Sequence, residues 1–164
     1  MKPALLVIDV QKEFFKDPIT ARSLDHAIEY INAAIALFRS KGLPGICIQH
    51  REDESGLIPG NEGFDLPDSL NVLATDAHIV KTYGNGFTKT SLAGTLRGLG
   101  VDTVIITGYC AEFCVLSTCR GAVDHDFTSI LLRNALASGT PENIRFVENV
   151  NDVVSYRALK KLIE

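Results

Sequence analysis

The sequence predicts an α/β fold, a mainly parallel sheet between two layers of helices, and three observations carry that expectation. Ala4-Leu5-Leu6-Val7-Ile8 is an unbroken apolar run closed by Asp9, the pattern of a strand buried on both faces rather than one. From Leu24 onward Ala27, Ile28, Ile31, Ala34, Ile35 and Phe38 recur at helical spacing. Strand-like and helix-like segments then alternate toward the C-terminus, which implies right-handed βαβ crossovers and helices on both faces of the sheet.

Each element has its own signals. Asp9 sits at the C-terminal end of the first strand. The first helix has Ser23 available as N-cap and Gly42 and Pro44 as stop signals. Gly45-Ile46-Cys47-Ile48-Gln49 reads as the second strand and Ile79-Val80-Lys81 as the end of the third. Thr90 is placed to cap a helix carrying Leu92, Leu96 and Leu99, which Gly100 ends. A fourth strand, Thr103 to Thr107, is closed by Gly108. Cys114 to Val123 reads as a helix, Ser129 to Leu132 as a fifth strand, Val153-Val154 as a short sixth, and Tyr156 to Ile163 as a C-terminal helix. The expectation is one three-layer α/β/α domain over residues 1–164, with a sheet of about six strands.

Composition narrows the function classes. Apolar residues make up 46% and charged residues 22%, which excludes a disordered, collagen-like or coiled-coil chain. No apolar stretch approaches the roughly 20 residues of a membrane span. Met1-Lys2-Pro3 before a five-residue apolar run that ends in an acidic residue does not read as a signal peptide. A cytoplasmic location is therefore expected, where the four cysteines are thiols rather than a disulfide framework. Sixteen basic against 20 acidic residues, with no Lys/Arg cluster beyond Lys160-Lys161, leave no footprint for nucleic acid. The expected partner is a small-molecule substrate.

Two stretches, 51–67 and 82–89, are rich in turn formers and follow strands. In open α/β sheets ligands bind outside the carboxyl ends of the strands, so these loops should border a site with Asp9, His50, Lys81, Cys110 and Cys114. Cys114 is the most informative, because Gly108 to Phe113 is a loop leading into a helix. A helix N-terminus lowers a thiol pKa and offers free N–H groups to an oxyanion. Asp9 is placed to take the thiol proton and Lys81 to hold the ionised forms. Such a set suits acyl transfer.

The other reactive side chains read as ordinary. Cys47 within a strand and Cys119 in mid-helix are core thiols, and His50, a lone histidine at the start of a polar loop, reads as exposed. His26, His78 and His125 carry no signal. Cys110, Cys114, Cys119 and His125 lack the paired C-x2-C spacing of structural zinc, so no metal is expected. No glycine-rich phosphate motif follows a strand, so no nucleotide cofactor is expected either.

These residues are similar to those of the isochorismatase-like cysteine hydrolases, a family that includes nicotinamidases and N-carbamoylsarcosine amidases. The resemblance rests on Asp9-Val10-Gln11-Lys12-Glu13-Phe14, then Lys81 with Phe87, Thr90 and Leu92, then Gly108-Tyr109-Cys110-Ala111-Glu112-Phe113-Cys114-Val115. It implies a Rossmann-like parallel sheet and a catalytic triad of Asp9, Lys81 and Cys114. It also implies a cis peptide at Tyr109-Cys110, an oxyanion hole of the Cys110 and Cys114 N–H groups, and a homodimer or homotetramer. Phe14, Phe87 and Phe113 would line the substrate pocket, with Gln11 nearby.

The chain departs from the family at Ala111 and Glu112, where many members carry Thr then Asp or Asn. It also offers one histidine, His50, where nicotinamidases carry an Asp and His metal cluster. The expected activity is hydrolysis of a small carboxamide or carbamoyl compound through a Cys114 acyl-enzyme. The alternatives are an isochorismatase-type hydrolase of another small metabolite and a thiol redox protein in which Cys110 resolves a sulfenic acid at Cys114. A third is a binding domain without catalysis.

Overall fold

A computed structural model describes residues 1–164. Its strands are β1 (Pro3–Ile8), β2 (Gly45–His50), β3 (Ala77–Lys81), β4 (Thr103–Tyr109), β5 (Thr128–Ala137) and β6 (Val153–Val154). All pair in parallel, in the order β3-β2-β1-β4-β5-β6. The apolar run of β1 is continuous because neither face meets water. Ala4, Leu6 and Ile8 enter one core, and Leu5 and Val7 enter the other.

Helix α1 (Pro18–Ser40) and helix α5 (Tyr156–Leu162) cover one face, through residues such as Leu24, Ile31, Phe38 and Leu159. On the opposite face lie α2 (Leu92–Gly98), α3 (Leu116–Asp124) and α4 (Glu142–Asn149), which contribute Leu92, Leu96, Cys119, Ala122 and Val147. The three-layer expectation holds. No helix is long and apolar enough to cross a membrane.

Several boundaries differ from the expected ones. Helix α1 begins before Ser23, at Pro18, because Asp17 caps it by accepting from the Thr20 N–H and hydroxyl, both at 2.8 Å. Proline suits the first helical position. Ser23 is inside the helix, where its hydroxyl accepts from the Ser138 N–H at 3.1 Å. Ser91 rather than Thr90 is the N-cap residue of α2, although the Thr90 hydroxyl still accepts from Leu92 N–H at 3.3 Å. Strand β4 runs through Gly108 to Tyr109. Strand β5 continues five residues past Leu132, because the polar pair Arg133-Asn134 lies at an irregularity where the register to β4 shifts. Helix α4 escapes a reading of apolar spacing because Val147 is its one buried residue.

The chain goes outward from β1 to β2 and β3, then returns to the far side of β1 for β4. The connections leaving β1 and β4 therefore diverge at their carboxyl ends and open a crevice. Gly108 lets β4 lie close against β1 at that edge. Its φ of +115° disfavours any side chain, and a Cβ there would stand 2.7 Å from the Ile8 nitrogen. Gly108→Ala should therefore cost about 2–4 kcal/mol in urea unfolding. An unchanged midpoint would mean that the two strands separate freely at this edge.

Candidate active site

Four side chains from four strand ends meet in the crevice. Asp9 follows β1 at a φ of +52°, a left-handed conformation that aspartate tolerates better than most residues. Its N–H still bonds Ile48 O at 2.8 Å, so the residue ends β1 while remaining tied to β2. Lys81 ends β3, two strand spacings or about 10 Å away. Only a long side chain crosses that gap, and Lys81 Nζ reaches Asp9 Oδ2 at 2.9 Å. Both side chains are almost fully buried, at 0% and 1% exposure.

His50 ends β2 in register with Lys81, and its Nδ1 lies 3.0 Å from Lys81 Nζ. An ammonium only donates, so Nδ1 accepts and the ring proton sits on Nε2. Cys114 lies in a single π-helical turn, Ala111–Val115, between β4 and α3. Its Sγ, an Asp9 oxygen and a His50 nitrogen lie within 4.8 Å of one another.

Burial sets the electrostatics of this group. It pushes the Asp9 carboxyl above its ordinary value, with the Lys81 charge opposing the rise. The Cys114 thiol is pushed up to about 12, first by burial and then by the negative charge of Asp9. The expectation of a thiol acidified by a helix N-terminus is thus corrected, since α3 starts two residues after Cys114 and its dipole is outweighed. Burial, followed by the Lys81 charge, lowers the His50 pKa, so the ring is neutral at pH 7. Asp9 Oδ1 is the one buried side-chain oxygen or nitrogen without a hydrogen-bond partner. Such an orphan needs a reason, and here it is an acceptor beside a thiol.

Asp9, His50 and Cys114 also form the kind of cluster that could hold a metal ion. However, the Lys81 ammonium already stands against both Asp9 Oδ2 and His50 Nδ1. A divalent cation on those atoms would have to displace a buried positive charge, so the donor set does not fit a resident metal.

The cleft over these groups measures about 520 Å³, and its lining includes Phe14, His50, Glu52, Leu57, Tyr109 and Phe113. A smaller apolar cavity of about 70 Å³, lined by Ile35, Phe38 and Cys47 among others, holds none of the reactive groups. Phe14 and Tyr109 pack with ring centroids 4.6 Å apart, and Phe113 is 66% exposed.

Two residues expected at the substrate are elsewhere. Phe87 is buried on the far side of the sheet, stacked on Phe127 and His125, and no residue of 82–89 lines the cleft. Gln11 is fully buried and its amide is spent on backbone: Nε2 donates to His50 O and Phe64 O at 3.0 and 3.1 Å, and Oε1 accepts from His50 N–H at 2.8 Å. It braces the strand end that carries His50.

The peptide between Tyr109 and Cys110 is cis, and the Cys110 N–H makes no hydrogen bond to another backbone group. The Cys110 thiol is turned toward Glu112 at 3.1 Å and pushed up to about 11, first by burial. Sulfenic acid formation follows thiolate character, and Cys114, the thiol that would be oxidised in the redox alternative, is held protonated, so that alternative loses support. Glu112 accepts from Ser138 Oγ at 2.8 Å and Asn143 Nδ2 at 2.9 Å. Its pKa stays below the usual range because such bonds outweigh its burial. Neither this network nor the contact of His50 with Lys81 is legible in the sequence.

Residues 3–150 match a family model described as the isochorismatase domain. Over 139 residues the chain is 33% identical to YrdC, an uncharacterized isochorismatase family protein of Bacillus subtilis, covering 84% of this chain and 74% of that protein. Among solved structures, an isochorismatase-like hydrolase from Alkaliphilus metalliredigens is similar with a TM-score of 0.90 at 25% identity, covering both chains fully. N-carbamoylsarcosine amidase from Thermoplasma acidophilum is similar with a TM-score of 0.81 at 27% identity, covering 94% of this chain and 95% of that one.

The buried pair makes a distinctive stability prediction. Asp9→Asn strands the Lys81 ammonium and should cost about 3–5 kcal/mol in urea unfolding, whereas Asp9→Asn combined with Lys81→Met should recover most of that loss. Additive losses in the double variant would show that the two charges do not depend on each other.

Proposed function

The chain belongs to the isochorismatase family, and from that premise we propose that it hydrolyses the C–N bond of a small carboxamide or carbamoyl compound through an acyl-enzyme on Cys114. The observation that carries this reading is the division of labour at Asp9. Oδ2 is held by Lys81, while Oδ1 is buried and unpartnered in the cluster that contains Cys114. The similarity to N-carbamoylsarcosine amidase supports the choice of a C–N bond. Cys114 supports nucleophilic chemistry over hydrolysis of an ether without a nucleophile.

In the proposed sequence Asp9 takes the Cys114 proton as sulfur attacks the carbonyl carbon, and the C=O π electrons move onto oxygen. The Cys110 and Cys114 N–H groups receive that oxyanion. As the tetrahedral intermediate collapses, the C–N bond breaks and Asp9 gives its proton to the departing nitrogen. Water, deprotonated by Asp9, then attacks the thioester, releasing the acid and restoring the thiol. Lys81 keeps Asp9 ionised between these steps.

Intact mass spectrometry of reactions with primary amides and ureido acids, quenched within seconds, should show an acyl adduct on the wild type and none on Cys114→Ala. Full turnover by Cys114→Ala would overturn the mechanism.

The pH profile gives a second test. Asp9 works as the carboxylate, and its pKa is raised, so kcat/KM should fall as pH drops through a value above 3.8. Lys81→Met removes the charge that opposes this rise. It should move the acid limb higher and lower kcat/KM by about a hundredfold or more. An acid limb that stays in place would detach Lys81 from the ionisation of Asp9.

A further inference from the structure

The charges around the cleft do not cancel. At the floor, Lys81 balances Asp9. On the wall, Lys16 Nζ lies 2.7 Å from Glu13 Oε2 and balances it. Asp17 and Glu52 remain, and both line the cleft. Asp17 is already engaged, capping α1 through the Thr20 N–H and hydroxyl and facing the charge of Arg22. The Glu52 carboxylate enters no ion pair. Its backbone is nevertheless held, because Glu52 and Leu57 form an isolated antiparallel bridge with reciprocal bonds of 2.9 and 3.0 Å. The adjacent cation in sequence, Arg51, is occupied by Asp53 at 2.6 Å and does not line the cleft.

Three aromatic residues, Phe14, Tyr109 and Phe113, also line the cleft, and an aromatic ring can attract a cation to its face. The buried Oδ1 of Asp9, whose other oxygen is held by Lys81, has no partner of its own and lies at the floor of the same cleft, where a ligand's reacting group would come to rest.

We infer that this cleft selects carboxamides or carbamoyl compounds whose non-reacting end is positively charged, such as a protonated amine or cationic ring, and discriminates against those bearing a carboxylate. The inference rests on the amide-hydrolase reading above and adds its substrate class. Glu52 is the specificity residue, since its backbone is fixed at the cleft and its carboxylate has no basic side chain of its own. A cation arriving there meets the unpaired carboxylate of Glu52 beside aromatic side chains, while an anion meets the same carboxylate and a lysine, Lys16, that is already paired with Glu13. One-signed clefts raise the local concentration of the opposite charge by about tenfold or more, so the preference should appear mainly in kcat/KM.

Two measurements on the purified chain test this separately from the amide reading. In the first, 4-(aminomethyl)benzamide, 4-methylbenzamide and 4-carbamoylbenzoate share one frame and differ in charge. The expected order of kcat/KM is cation, neutral, anion, with about a tenfold span at low salt. That span should shrink in Glu52→Gln, and in about 0.5 M salt, where the screening length falls to about 4 Å. Equal or better turnover of the anion, or a span indifferent to both Glu52→Gln and salt, overturns the inference while leaving the amide reading intact.

In the second, Cys114 is labelled with the aminoethyl and sulfonatoethyl methanethiosulfonates, and each rate is divided by that for free cysteine. This needs no turnover. A cation preference of about tenfold that shrinks in Glu52→Gln supports the inferred charge selection, even if every benzamide is inert and the amide reading fails. Equal normalised rates overturn it.

Discussion

The fully desolvated ion pair of Asp9 and Lys81 is the constraint around which this molecule is arranged. Taking two charges out of water costs several kcal/mol for each, and their attraction recovers it only when geometry and further hydrogen bonds are good. Here β1 and β3 must be held at a set distance by β2 between them for Nζ to reach Oδ2. The two-strand span explains why the cation is a lysine. It also explains why His50, on the intervening strand and in register with Lys81, supplies a second acceptor to the same ammonium.

Around that pair the chain invests in braces rather than in further reactive groups. Gln11 takes both the N–H and the C=O of His50 and ties that strand end to Phe64 through the same amide. Glu112 draws Ser138 from the end of β5 and Asn143 from α4 onto the turn that carries Cys114. Both are buried or half-buried polar networks with their hydrogen bonds made, and satisfied networks of this kind rigidify what they join. Asp9 Oδ1 stands out against this background because its neighbours are so completely satisfied.

Much of this was legible in the sequence wherever the cause is local. The apolar run before Asp9 and the turn signals before Cys114 place those residues at strand ends without reference to the rest of the chain. Lys81 needed only the end of a short strand. His50 reads as an exposed loop residue because its partner comes from register with β3, and strand order is not written in any local window. The resemblance puts Phe87 at the substrate, whereas its packing on Phe127, 40 residues later in the chain, decides its side of the sheet. The second half of β5 was hidden by Arg133-Asn134, where a register shift interrupts the apolar pattern. Glu112 acquires its meaning only once β5 and α4 are in place, and α4 itself has too little buried surface to show a period.

The protonation of the resting site follows from the same burial. A cysteine paired with an imidazolium, or set at an exposed helix N-terminus, rests as a thiolate and is open to oxidation. Here desolvation and the Asp9 charge both favour the thiol, while desolvation also makes Asp9 a stronger base than an exposed carboxylate. The two shifts have one origin and opposite uses. They hold the proton on sulfur at rest, and under the proposed mechanism they make its transfer to Asp9 worthwhile only as sulfur bonds to carbon and its charge moves onto the carbonyl oxygen. Under that mechanism activation is coupled to the presence of an electrophile, and the buried sulfur stays a thiol until substrate arrives.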